Sequence, residues 1–387
     1  MSGLKKGWET KNLGELVDSG VVQLTRGKII SKKDMAAFPG TYPVYSSAKE
    51  DDGKFGEYGR FLFDEELITW SVDGGGALFH RRRHRFSVTN VGGVLRILKA
   101  SVLDYRYLYY ALTLRHSEIT FDWVKKAHPS VIKQLYNDIP IPPLAEQQRI
   151  VVLLDEAFES IAIAKANAEK NVENARATFE SHLEAVFAQR GPGWVEKRID
   201  EIGRTQTGST PKGADQSSYG DFIPFVKPGD FNLDGSLTYD NDGLSEHGAN
   251  AARTVRNGSV LMVCIGATIG KCGYCDQDVT TNQQVNALTP SDGSFNRFLY
   301  YQMLTHSFQR SVIRASGQAT LPIINKSKWS ALQLWLPPFP AEQQSIAKKL
   351  DVLSSETQRL ADLYTQKVAA LDELKKSLLQ RAFAGEL

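Results

Sequence analysis

The sequence predicts an α+β protein: two mixed α/β domains separated by two long antiparallel coiled-coil helices, in an internal tandem repeat with pseudo-twofold symmetry. Three observations carry this expectation. First, the segment IPIPPLAEQQRI (residues 139–150) recurs as LWLPPFPAEQQSI (residues 334–346), with the AEQQ blocks 196 positions apart. Second, residues 145–188 align with 341–384 without a gap, and 12 of the 44 pairs are identical, including Ile150/Ile346, Asp155/Asp351 and Phe187/Phe383. Third, the stretches before each repeat alternate short apolar runs with Gly- and Asp-rich turns, the pattern of strands.

The chain begins with a variable block, residues 1–143. Apolar runs at 67–70 and 93–97 read as strands and residues 106–114 as a helix. A uniform block, 144–190, then reads as one long helix. Pro142 and Pro143 precede it, and apolar residues follow at Ile150, Leu154, Ala157, Ile161, Ala164, Ala168 and Ala175, mostly at alternating spacings of four and three. GPG at 191–193 stops that helix and opens the second variable block, 191–338, with a strand expected at 259–264 and a helix at 296–304. The last block, 339–387, repeats the helix with larger seam residues: Leu353, Leu360, Tyr364 and Leu371 replace Ala157, Ala164, Ala168 and Ala175, and Leu374 and Leu378 continue the row. Large against small predicts that the two helices pack on each other. Upstream landmarks pair more loosely: Gly7-Trp8 with Gly193-Trp194, YLYY (107–110) with FLYY (298–301), and Pro129 with Pro322.

Composition narrows the function classes. The 387 residues carry 46 Lys and Arg against 44 Asp and Glu, and 42% are apolar, an ordinary globular balance. The longest apolar run, 260–267 even when Gly266 is counted as apolar, falls far short of the roughly 20 residues of a membrane span, and MSGLKKGWET has no apolar signal core. Three cysteines fit a reducing compartment, so a cytoplasmic protein is expected. Catalytic signatures fail on inspection. GATIGKC (266–272) is one residue short of a phosphate loop and ends in Cys where a hydroxyl must meet magnesium. LPPF (336–339) has Leu where an amino-methyltransferase places a polar acceptor. Cys272 and Cys275 form half a zinc site without a second pair, so no metal is expected, and the repeat puts residues 80–84 at the same turn.

What remains suits polyanions. Residues 1–143 hold 21 basic and 16 acidic groups, residues 144–190 hold 5 and 8, and the remainder is balanced at 20 each. The run HRRRHR (80–85), expected between two strands, supplies Arg81, Arg82, Arg83 and Arg85. Arg26 and Lys28 follow an apolar stretch. Guanidinium groups pair with phosphates and fork onto guanine edges. The second block is richer in neutral readers: Thr210 with Lys212, Gln283 with Gln284, and Arg314 with Gln318. Amide side chains suit adenine edges.

These features together resemble the specificity subunits of type I restriction-modification systems. The resemblance covers essentially the whole chain and rests on the doubled proline–AEQQ leader, GTYPVYSS (40–47), GSTP (208–211) and GATIG (266–270). It implies two target-recognition domains, each reading one half of a split, asymmetric site on double-stranded DNA. It also implies two modification (methyltransferase) subunits docked on the helices, with restriction/translocase subunits beyond them. S-adenosylmethionine, ATP and magnesium would then belong to those partners, leaving this chain non-catalytic. Glu146, Gln147, Gln148, Glu342, Gln343 and Gln344 are the candidate docking residues, with helix capping as their alternative role. Two other readings stay open at this point: the recognition subunit of a fused restriction-modification enzyme, and a coiled-coil scaffold whose domains bind protein. An enzyme ranks last.

Overall fold

The computed structural model describes residues 7–47, 51–73, 76–119, 126–211, 215–291, 294–317 and 321–387. The chain divides into two compact units, residues 1–168 with 366–387 and residues 169–365. The first unit contains β1 (Glu9–Lys11), α1 (Leu13–Asp18), β2 (Val22–Arg26), α2 (Lys32–Ala37), β3 (Tyr42–Tyr45), β4 (Lys54–Tyr58), β5 (Phe63–Ser71), β6 (Leu78–Val88), β7 (Gly92–Ile97), α3 (Tyr105–His116), α4 (Pro129–Leu135) and β8 (Ile139–Ile141). The long helix α5 (Leu144–Gln189) starts in it.

Six strands form one sheet in the order β2-β7-β5-β6-β3-β4, and β1 pairs with β8. Alternation along β5 decides the two faces. Ile68 and Trp70 enter the larger core with Tyr107, Leu108 and Ile150, whereas Leu67 joins Phe86, Val88 and Val94 on the opposite face. Trp70 lies across Gly93 of the neighbouring strand, where an added Cβ would come within 1.9 Å of the ring. Glycine there is what lets the indole lie flat against the sheet. The larger core also takes Leu379, Ala382 and Phe383 from the end of the chain. Each buried side chain of this size contributes roughly 1.5–3 kcal/mol.

The second unit contains β9 (Val195–Arg198), α6 (Ile199–Ile202), β10 (Gly203–Thr207), β11 (Tyr219–Val226), β12 (Gly243–Leu244), α7 (Glu246–Ala251), β13 (Thr254–Val255), β14 (Val260–Val263), β15 (Cys272–Tyr274), β16 (Val279–Thr281), β17 (Val285–Pro290), α8 (Asn296–Leu304), α9 (His306–Ser316), α10 (Lys326–Ser330), β18 (Gln333–Leu336) and the start of α11 (Pro340–Ala384). The order β10-β17-β14-β15 repeats β2-β7-β5-β6. The parallel pairing of β11 with β16, Phe225 opposite Thr280, repeats that of β3 with β6, Val44 opposite Ser87. The long strand β6 is thus matched by two short ones, β15 and β16, interrupted at residues 275–278. The tandem α+β repeat expected from the sequence is present. The helices read at 106–114 and 296–304 are α3 and α8, and GATIGKC forms the connection of the β14–β15 hairpin.

Within the first unit α5 and α11 run antiparallel: Arg149 Nη2 donates to the Leu387 carbonyl at 2.6 Å, and Lys165 meets Asp372 at 2.8 Å. In the second unit Leu183 and Phe187 of α5 share a core with Ala347 and Leu350 of α11.

Four expectations need correction. Leu360 and Leu374 do not lie in the seam; they are 38% and 47% exposed, and the buried row passes through Ala347, Leu350, Thr357 and Ala361. The large-against-small pattern therefore fails at Leu360, because a mixed spacing of three and four drifts around a straight helix. Pro129 corresponds to Lys326 rather than Pro322, since Ala127 N donates to Val72 O as Ile324 N does to the equivalent Cys264 O. The arginine run does not lie between strands but inside β6. His80 is the counterpart of Tyr274, not of the first cysteine, because both pair opposite equivalent positions, Ile68 and Val260.

Candidate nucleic-acid interface

Both units use one device to hold a loop. After β2, Gly27 N donates to Gly92 O and Lys28 N to Val88 O, both at 3.0 Å. After β10, Gly208 N donates to Val285 O at 3.0 Å and Ser209 N to Thr281 O at 2.8 Å. A Cβ at Gly27 would sit 2.0 Å from Val88 O, and one at Gly208 would sit 2.2 Å from Asn282 O. Only glycine permits this backbone approach. The result in each unit is a pair of adjoining loops, 27–29 beside 89–91 and 208–210 beside 282–284.

The side chains on the two loop pairs differ. In the first unit Arg26 is exposed and its Nε donates to Asn90 O at 2.8 Å, and Lys28 is exposed beside it. In the second unit Thr210 and Gln283 are both exposed, and the Thr210 hydroxyl donates to Gln283 Oε1 at 2.5 Å. The Gln284 amide oxygen accepts from Asn282 Nδ2 at 2.9 Å, which fixes the loop. Arg253, isolated between Ala252 and Thr254 in the sequence and so without a motif to mark it, supports this loop: its Nη1 donates to Thr207 O at 2.9 Å and its backbone N to Ser209 Oγ at 3.2 Å. Arg314 is exposed in the last turn of α9. Lys212 and Gln318 lie outside the described residues.

The arginine run on β6 splits by role. Arg81 is 2% exposed, so it is not placed to touch a ligand. Its Nη1 donates to Asp52 Oδ2 at 2.5 Å, its Nη2 to Asp52 O at 2.6 Å, and its guanidinium stacks 3.6 Å from the Tyr45 ring centroid. Burial lowers its pKa, and Asp52 opposes that shift. A bulge places Arg82 and Arg83 opposite Glu66 alone, and both are exposed. Arg83 and Arg85 share Asp64, at 3.6 and 3.4 Å, and Arg85 Nη1 also donates to Tyr42 Oη at 3.4 Å. Such exposed pairs are worth little and yield readily to a phosphate.

The AEQQ residues are mostly structural. Gln147 and Gln343 are buried. Gln147 Oε1 accepts from Asp104 N and Gln343 Oε1 from Phe295 N, each at 2.9 Å, and Gln147 Nε2 also donates to Val102 O and Pro142 O. The expectation of docking residues therefore does not hold for these two, because their polar atoms are spent inside the unit. Glu146 pairs with Arg149 at 2.7 Å, and Glu342 accepts from Trp194 Nε1 at 3.0 Å. Gln148 and Gln344 are exposed.

Farther along each helix, Asp155 accepts from Arg106 Nε at 2.9 Å and from Tyr110, while Asp351 accepts from Arg297 Nε at 2.8 Å and Tyr301 Oη at 2.7 Å. The same anchor thus joins α3 to α5 in the first unit and α8 to α11 in the second.

Among the described residues no cluster of His, Cys, Asp or Glu could hold a metal. The three cysteines are buried and unpaired. Burial pushes the Cys264 thiol up to about 12 and that of Cys275 to about 11, and it raises Cys272 as well. Thiolate is then scarce at neutral pH. All three should resist alkylation at pH 8 in the native chain and react only after denaturation, which mass spectrometry of iodoacetamide-treated protein will read.

A repeated α/β unit, with a constant helical anchor and variable loops, defines a tandem recognition protein. The family model for the type I restriction modification DNA specificity domain matches residues 5–174 and 192–365. The chain belongs to that family. It is 29% identical over 205 residues to the HindI specificity subunit of Haemophilus influenzae, covering 50% of this chain and 42% of that one. It thus spans under half the length of that relative. A putative type I specificity subunit of Mycoplasma pneumoniae is 22% identical over 341 residues, covering 86% of this chain and 87% of the relative. Two solved structures at 20% identity share the fold. A chain from work on complex assembly and conformational transition of the type I R-M system has a TM-score of 0.76 over 100% of both chains. The HsdS subunit from Thermoanaerobacter tengcongensis has a TM-score of 0.58 over 99% of this chain and 98% of that one.

Proposed function

We propose that this chain is the non-catalytic specificity subunit of a type I restriction-modification enzyme and reads a bipartite, asymmetric site on double-stranded DNA. The observation that carries the reading is the pair of equivalent loop sites with unlike chemistry: arginine and lysine in the first unit, threonine and glutamine amides in the second. Unlike readers recognise unlike half-sites, whereas a symmetric dimer reads a palindrome. Phosphate contacts position each unit and side chains on base edges specify the sequence.

Two modification subunits and the restriction/translocase subunits are the proposed partners. S-adenosylmethionine, ATP and magnesium would bind to them. No described helix is long and apolar enough to cross a membrane. The exposed Gln148 and Gln344, rather than the buried Gln147 and Gln343, are the leader residues available for docking.

The 46-residue α5 links the two units, and its length should set the gap between half-sites. Inserting seven residues into both α5 and α11 adds about 10 Å of helix, close to three base-pair rises. Methylation mapping in cells carrying the whole system should then show both half-sites unchanged and the gap altered. An unchanged gap would remove the ruler role.

A further inference from the structure

We propose that Arg204, Arg253 and Arg256 form a phosphate clamp that grips the DNA backbone beside the half-site read by the second unit. The inference rests on the DNA reading above and assigns residues that the sequence offers only as three isolated arginines.

Strand pairing brings them together. β10 is the edge of one four-stranded sheet and β13 the edge of the other. Gln206 Nε2 donates across the joint to Thr254 O at 2.9 Å. Arg204 stands on the first edge, while Arg253 and Arg256 flank the second, whose Val255 points into the core. All three arginines are exposed and line one cleft of about 750 Å³. The side chains of Arg204 and Arg256 make no hydrogen bond or ion pair with any described residue, in contrast to Arg198, which Asp200 holds at 2.8 Å. Asp278, the one acid among the described residues that line the cleft, accepts from Asn257 N at 2.8 Å.

Three guanidinium groups against one carboxylate leave the described lining net positive, and guanidinium forks match phosphate oxygens. The location selects the anion. Arg253 carries the loop that presents Thr210, so a backbone gripped in the cleft belongs to the same duplex whose bases face Thr210 and Gln283. A cleft of this size exceeds a single phosphate and suits a run of phosphodiester.

The test measures binding of the full chain to a duplex of about 30 bp by fluorescence anisotropy between about 50 and 200 mM salt. Each lost phosphate contact flattens the plot of log affinity against log salt by about 0.9, so Arg204→Gln with Arg256→Gln should lower the slope by about 1.8. Arg204→Lys with Arg256→Lys should keep the slope, and rescue by lysine excludes a folding defect. The control Arg359→Gln should leave it unchanged. Wild-type binding with an unaltered slope in the glutamine pair would overturn the clamp alone. Inorganic pyrophosphate that binds the wild-type chain but not the glutamine pair, and leaves the duplex bound at constant ionic strength, would assign the cleft to a small free anion and overturn it too. A wild-type chain whose binding to every duplex is absent or independent of salt would overturn the DNA reading and the clamp together.

Discussion

Gly208→Val should weaken recognition of one half-site while leaving the first unit folded, and Gly27→Val should weaken recognition of the other while leaving the second unit folded. At both positions a Cβ would lie within 2.4 Å of a carbonyl on the adjoining loop, Thr89 O or Asn282 O, so the two loops must separate. Overpacking of this kind costs about 1–3 kcal/mol, which is about 5- to 150-fold in specific affinity when it falls on the reading surface. The measurement is methylation of a mapped target by the reconstituted enzyme, beside the thermal unfolding of each variant. Full methylation by Gly208→Val would show that this loop pair is not the reading surface.

The second large effect is on stability. Trp70 and Trp329 are almost wholly buried, one in each unit, and truncation of either to Ala should cost about 3–5 kcal/mol. Replacement by Phe separates them. Trp70 Nε1 donates to Ala127 O at 2.7 Å, whereas Trp329 Nε1 is buried and finds no acceptor among the described residues. Trp70→Phe strands a buried carbonyl, a loss of about 1–3 kcal/mol, while Trp329→Phe removes a donor that already lacks a partner. Both replacements lose the same ring volume, so hydrogen exchange resolved by unit should show the first unit weakened by Trp70→Phe more than the second by Trp329→Phe, the difference being the stranded carbonyl. Equal losses would show that the Trp329 N–H is satisfied.

The architecture was largely legible because its signals are local or periodic. The AEQQ repeat, the long helices and the GATIGKC hairpin connection all lie in contiguous text. The site was legible only in part, and the reason is the strand pairing itself. HRRRHR looks like one basic patch, yet pairing brings Asp64 and Glu66 opposite it and a turn brings Asp52 beneath it, so one arginine becomes core and two share a carboxylate. Gln147 and Gln343 look exposed at a helix start, but their acceptors and donors come from chain some 40 residues upstream. Arg204, Arg253 and Arg256 gave no signal at all, since only the meeting of two sheet edges makes them neighbours.

The matched anchors of Gln147 with Asp155 and of Gln343 with Asp351 have a consequence for diversification. Each amounts to a standard socket, built from a buried glutamine, an aspartate, an arginine and a tyrosine, whose hydrogen bonds among the described residues reach none of the loop residues. A globular cartridge that keeps those few plugs and the apolar surface around them should therefore be exchangeable without redesigning the rest. Ten cartridges in two sockets already spell about a hundred addresses.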